Sequence, residues 1–343
     1  MLARQPPAPR RADIRENFSC PFVFILECHA TAWRQRIGLR RPEPSMREFH
    51  KGVLYALAAA ALNATIGVLT KFVVATGLQA DAIAALKTLI GFVVVGAIGL
   101  AGLRSGWRGK WWQAAACAFF GIFVLFYFET AAYAHEATAN VVVTLMAFAA
   151  LSAIVLGWPL LGDRPGRFQW IGLGIALLGV GMVAGVSVAQ SPRGLLLAAL
   201  AGTGYGVFSV LVKKFGLPGG FALTARLLLF GSLYLAAMVQ FDALARVEWR
   251  ASAVGALVLL AVFPTVLGFV CTTRAIQCIA PGQVQTLELA EPLFAGAFAF
   301  VLLREVPTGW AVAGGVLVVL GLYVSSRQPS PRYSSNAVPS IPG

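Results

Sequence analysis

From Gly52 onward the chain is a succession of apolar runs, each about 18–24 residues long, separated by short polar breaks. A helix rising about 1.5 Å per residue crosses the roughly 30 Å hydrocarbon core of a bilayer in about 20 residues. Lipid cannot satisfy free backbone groups, so such runs must be helical. They fall at 52–75, 80–103, 112–133, 138–160, 168–187, 194–215, 220–241, 252–274, 281–303 and 308–325. The breaks carry turn chemistry: Ser105-Gly106, Asp163-Arg164-Pro165-Gly166, Ser191-Pro192, Leu217-Pro218-Gly219-Gly220 and Ala280-Pro281-Gly282. Composition agrees, with 58% hydrophobic and 12% charged residues against about 45–50% and 25% in a soluble domain. The expected fold class is an all-α integral membrane protein with ten transmembrane helices.

The net charge of +13 would suit a nucleic-acid binder, but its placement does not. Ten of the 27 Lys and Arg lie between Arg4 and Lys51. Ten of the other 17 fall in alternate gaps or the tail, at Arg104, Arg108, Lys110, Arg164, Arg167, Lys213, Lys214, Arg274, Arg327 and Arg332. That is the positive-inside pattern, which predicts both termini in the cytoplasm of a bacterial cell and no nucleic-acid partner. Trp107, Trp111, Trp112, Trp158, Trp170, Trp249 and Trp310 sit at run ends, as an interfacial belt should.

Residues 1–45 form a basic, Pro-rich extension, expected to be disordered or to precede the true start at Met46. Its one apolar run, Phe18–Leu26, is too short to span and is interrupted by Glu27. Residues 326–343 read as a cytoplasmic tail. Cys20, Cys28, Cys117, Cys271 and Cys278 fit no zinc spacing and read as small core residues; Cys28-His29 has no partner pair.

The chain repeats itself at an offset of 142: Gly52 with Gly194, Lys71 with Lys213, Asp163 with Glu305, Pro165 with Pro307, Gly179 with Gly321. Lys87 matches Arg226 after a small gap. Two halves follow, 50–187 and 194–325. Each has five spans, an odd number, so they are expected to be inverted relative to one another. Such repeats typify secondary transporters, with the substrate at their interface near the midplane. The motifs "ELAEPLFAGAFAFVLLREVPTGWAVAGGVLVVLG" and "ATANVVVTLMAFAALSAIVLGWPLLGDRPGRFQWIGLGIALLGVG" resemble the EamA-type ten-helix members of the drug/metabolite transporter superfamily. The first repeat, which carries the second of these motifs, departs from the family by placing Ala149 opposite Pro292. The resemblance implies proton-coupled or exchange carriers of amino acids, metabolites, drugs or sugars.

Charges inside spans are the first place to seek a site, because each costs roughly 2.5–3.5 kcal/mol at the bilayer centre and so faces a cavity or a partner. They are Lys87, Glu129, Arg226, Arg274, Glu288 and Glu291. Gln285, Glu288 and Glu291 share one face of span 9. Two nearby carboxylates in a low dielectric repel, and burial penalises their charge, which suits a proton carrier. The plainer reading of Glu291 is an ion pair between helices. Pro292 frees a carbonyl one turn back and can kink the helix. Glu129, with Tyr127 and Thr130, would line an outward vestibule or reach the interface. Lys87 and Arg226 would snorkel or pair, with Asp81 or the carboxylates; Arg274 reads as a topology charge. Asn63 and its equivalent Tyr205, Asn140, Thr144, Gln283 and Gln285 could hydrogen-bond a polar substrate or only neighbouring helices. Phe126, Tyr127, Phe148 and Tyr205 would shape a cavity or pack. Gly181 and Gly185 form a GxxxG, and Gly314, Gly315 and Gly321 mark span 10; the resemblance implies packing or dimer contacts there, leaving a homodimer open.

No GxxxxGK[ST] loop, metal cluster, triad spacing or dinucleotide fingerprint appears, so no cofactor is expected. The leading expectation is a secondary carrier, not an enzyme, exporting an amino acid or drug-like compound. Uptake or exchange of a sugar or nucleotide-linked metabolite is the second reading. A sensor or enzyme is the third, for which the loop pair His135-Glu136 is the one reactive candidate.

Overall fold

The computed structural model describes residues 46–99, 109–185, 191–239, 249, 251–298, 300–301 and 308–326. The N-terminal extension with Cys20, Cys28 and His29, as well as Trp107, Glu305, Pro307 and the tail beyond Ser326, lie outside them. The described residues are all helix and connection, without strands. They form α1 (Met46–Val74), α2 (Ala80–Gly99), α3 (Trp111–His135), α4 (Thr138–Leu161), α5 (Arg167–Ala184), α6 (Pro192–Lys214), α7 (Phe221–Ala236), α8 (Ala251–Cys278), α9 (two short helices, Pro281–Glu288 and Glu291–Phe298) and α10 (Gly309–Ser326). Eight of them are long and apolar enough to cross a membrane; α7 is a shorter apolar helix, and α9 is divided. A multi-pass membrane protein results, with eight spanning candidates among the described residues where the apolar runs predict ten spans.

Four irregularities interrupt the helices. Thr65 donates its hydroxyl to Leu62 O at 2.8 Å, competing with the ladder and dividing α1 after Asn63. α9 divides at Leu289-Ala290, one turn before Pro292, which has no N–H for the ladder. α3 and α8 each contain a π-helical segment, Phe119–Val124 and Ala261–Gly268, and the second includes Pro264.

The molecule inverts the soluble pattern. Lys87, Glu129, Arg226, Glu288 and Glu291 are all buried, whereas Leu54, Val68, Leu178, Val301 and Val312 are exposed. An outer surface of this kind belongs against lipid. Trp111, Trp112, Trp158, Trp170, Trp249 and Trp310 are exposed near helix ends, as predicted.

Contacts pair off between the halves. α1 packs on α8 and α9 as α6 packs on α3 and α4, while α2 meets α7 and α5 meets α10. α5 and α10 touch at backbone distance: Gly172 faces Gly321 and Ser325, and Gly179 faces Gly314 and Val318, so the two helices run antiparallel. Gly185 is not part of this contact; it adopts φ 64° and caps α5. Gly202 and Gly206 seat α6 on Leu145 and Ala149 of α4, and those two helices run parallel. The matched lysines act alike. Lys71 Nζ donates to Glu136 O at 3.1 Å. Lys213 Nζ donates to the carbonyls of Ile276, Gln277 and Ile279 at 2.6, 3.1 and 3.2 Å. Each therefore neutralises the C-terminal end of the third helix in its half.

Candidate functional site

The division of α1, the π segments of α3 and α8 and the break in α9 surround one interior cavity. Asn63 ends the first part of α1, and Ile66 begins the second. Leu125, Phe126, Glu129 and Tyr133 follow the π segment of α3; Pro264, Thr265 and Phe269 belong to or follow that of α8. Glu291 opens the second part of α9, and Lys87 comes from α2. Val142, Leu145, Met146 and Tyr205 complete the wall. About 30 Å³ is open to a water-sized sphere, room for a few water molecules.

Lys87 carries the ion pair of this cavity. Its Nζ stands 3.5 Å from Glu129 Oε2, and the two side chains are 1% and 7% exposed. The same ammonium lies 4.0 Å from the centroid of the Phe126 ring, a cation–π arrangement in a desolvated setting. Of the two pairings open to Lys87, with Asp81 or with a carboxylate inside the spans, the structure shows the second, with Glu129 on α3. Glu291 also lines the cavity and is buried, and its carboxylate has no hydrogen bond or ion pair among the described residues.

Behind this wall runs a second polar system. Thr272 Oγ1 donates to Glu288 Oε1 at 2.7 Å. A hydroxyl has a single proton, so the 3.1 Å contact between Tyr205 Oη and Thr272 Oγ1 has tyrosine as donor. Gln285 Nε2 donates to Ser209 Oγ at 2.9 Å, and Ser209 in turn donates to Tyr205 O at 3.0 Å. Two buried acceptors in this system, Glu288 Oε2 and Gln285 Oε1, have no hydrogen-bond partner among the described residues, and a buried acceptor of this kind can take a water or a proton.

The structure thus gathers Asn63, Lys87, Glu129, Tyr205 and Glu291 around one space, with Gln285 and Glu288 directly behind. It leaves four candidate residues off the wall. Tyr127 turns away and stacks on Phe123 at 5.7 Å between centroids. Asn140 donates to Glu136 Oε1 at 3.0 Å. Thr144 is half-buried, because the helical turn presents Leu145 and Met146 instead. Arg226 donates to Ala222 O at 2.7 Å and stacks over Trp111 at 5.2 Å, near the far end of α3. Phe148 is exposed and Arg274 lies at the surface. Gln283 accepts from Ala280 N at the start of α9.

Glu136 is not a solvated loop acid. It is buried, its carboxylate accepts from Ala137 N at 2.9 Å, Asn140 Nδ2 at 3.0 Å and Ser191 N at 2.8 Å, and so it ties α4 to the start of α6. Residues that sequence reasoning passed over are Tyr133, Ser209, Thr265 and Thr272. Cys117 is buried, while Cys271 and Cys278 are half-buried and free. No group of His, Cys, Asp and Glu among the described residues is arranged to hold a metal.

The EamA-like transporter family model matches this chain twice, over residues 50–185 and 192–327, with the 142-residue offset of the sequence repeat. The chain belongs to the EamA-like transporter family. An "Uncharacterized transporter" of Archaeoglobus fulgidus is 22% identical over 234 residues, spanning 66% of this chain and 80% of that protein. A solved structure described as "Crystal structure of protein" has a TM-score of 0.65 at 22% identity, over 80% of this chain and 97% of the other. That likeness concerns fold alone. The EamA-like protein is accordingly a membrane transporter built of two repeats.

Proposed function

We propose that this EamA-like protein is a secondary carrier that exports a small metabolite, an amino acid or a drug-like compound, from a bacterial cytoplasm by alternating access. One observation carries the reading: ionisable groups from both repeats, Lys87 and Glu129 with Glu288 and Glu291, converge in the interior of an apolar bundle. Intramembrane charges are costly and mark substrate or ion paths. The antiparallel pairing of the equivalent helices α5 and α10 supports ten crossings in two inverted repeats, because matched helices of opposed halves run in opposite directions. With an even number of crossings, both termini share a side, and the Lys and Arg placement favours the cytoplasm.

Glu288 or Glu291 carries the coupling proton in this reading. Asn63, Tyr205 and Gln285 offer hydrogen bonds to the substrate. A space that holds only a few waters must widen to admit a metabolite. The π segments and the break in α9 supply places to bend, since both interrupt the regular ladder.

The test is comparative metabolite profiling of spent medium from cells expressing the wild type, a Glu288→Gln Glu291→Gln variant, or empty vector. A compound class that accumulates outside only with the wild type supports export. Unchanged medium with raised intracellular pools would replace export by uptake. No change in either compartment, with the protein present in the membrane, counts against a carrier role.

A further inference from the structure

We propose that the cavity takes a substrate with one positive charge on nitrogen, an organic ammonium ion, and that Glu291 receives it; this rests on the reading of the cavity as the substrate's site. The charged side chains in the wall are Lys87, Glu129 and Glu291. The first two satisfy each other at 3.5 Å. Glu291 is left over: it is 5% exposed, faces the cavity, and has no hydrogen bond or ion pair among the described residues. With the coupling proton on Glu288, the Lys87–Glu129 pair leaves Glu291 as the one uncompensated carboxylate of the wall. An anionic substrate would add to this imbalance and a zwitterion would leave it unchanged. A monocation completes the set.

The wall also shows how such a group is held. Lys87 is itself an alkylammonium, resting between a carboxylate and the face of Phe126. Around Glu291 the same materials recur, with Tyr133, Tyr205 and Phe269 lining the same space. A carboxylate joined to aromatic faces is a setting that prefers ammonium over neutral or anionic groups of equal size. The Lys87 contact is therefore an internal copy of the contact expected at Glu291.

The test uses the full chain in lipid nanodiscs, titrated calorimetrically with benzylammonium, benzyl alcohol, benzoate and phenylalanine, probes that share a ring and differ in charge. Benzylammonium is expected to bind roughly tenfold or more tightly than each of the others, about the worth of one charge pair. Glu291→Gln is expected to abolish that preference, and Glu291→Asp to keep part of it; unfolding temperatures verify that both variants fold. Tighter binding of any other probe, binding of none, or a preference that survives Glu291→Gln overturns the proposal, as does Glu291-dependent binding of sodium in place of benzylammonium. Flux measured in liposomes separates this from the carrier reading. Glu291-dependent binding of benzylammonium without flux of any probe upholds the charge preference and overturns the carrier. Flux of phenylalanine in preference to benzylammonium overturns the charge preference and upholds the carrier.

Discussion

The Lys87–Glu129 pair sets the terms at the residue scale. Removing one partner of a buried pair leaves the other charged and dry, at a cost of about 3–5 kcal/mol. Lys87→Met should therefore lower the unfolding temperature of the purified protein more than Lys87→Met Glu129→Gln, which removes both charges. Thermal unfolding in detergent reads this directly. Equal losses in the two variants would mean that the pair is not energetically linked. Thr272 is a gentler case. Thr272→Val keeps the shape but strips Glu288 of its hydroxyl donor and Tyr205 of its acceptor. An unsatisfied buried polar group costs about 1–3 kcal/mol, and transport should fall with stability. Thr272→Ser should restore both. These residues also show what the sequence can and cannot reveal. A charge in an apolar run must find shelter, so Lys87, Glu129, Glu288 and Glu291 were legible. A lone hydroxyl or phenol carries no such compulsion, so Tyr133, Ser209 and Thr272 resembled any other polar group in a helix. Arg226 misled by symmetry: it matches Lys87 in the repeat but stacks on Trp111 near the opposite end of α3.

At the scale of elements, the α5–α10 contact is a joint of backbone against backbone. A side chain at Gly179 would stand 2.6 Å from both Gly314 O and Val318 N, closer than carbon can approach backbone. Gly179→Leu should force the helices apart and destabilise by about 1–3 kcal/mol or more, read as a lowered unfolding temperature. Gly174→Leu, where a Cβ meets nothing within 4 Å, should be nearly silent. The cap at Glu136 offers a second check. Glu136→Ala removes an acceptor shared by Ala137 N, Asn140 and Ser191 N. Charged caps of this type contribute about 1.5–3 kcal/mol, and faster hydrogen exchange should be confined to the starts of α4 and α6. Helix existence was plain from run length. Of the irregularities, the α9 break was signalled by Pro292, whereas the π segments leave no reliable trace in composition, and only Pro264 hints at one of them.

For the whole molecule, topology and duplication act together. A cysteine placed at position 135 should react with an impermeant maleimide from outside intact cells, and one at position 166 only after lysis; the reverse pattern would invert the assigned orientation. The duplication itself was readable from Lys71, Lys213, Gly179 and Gly321. The sequence also shows how unlike the two halves have become at matched positions, whereas the way the matched lysines bind is visible only in the structure. Asn63 stands against Tyr205 and Lys87 against Arg226. One lysine of the matched pair holds a single carbonyl, and the other holds three. Two identical halves would make a balance at rest, with either tilt equally favoured. Here the pans are loaded differently, so the proposed alternating-access cycle predicts a preferred tilt in the free molecule. On that proposal the unmatched residues at the centre and at the two lysine clasps are the weights, and substitution of Lys71 or Lys213, neither of which lines the cavity, should shift the preference.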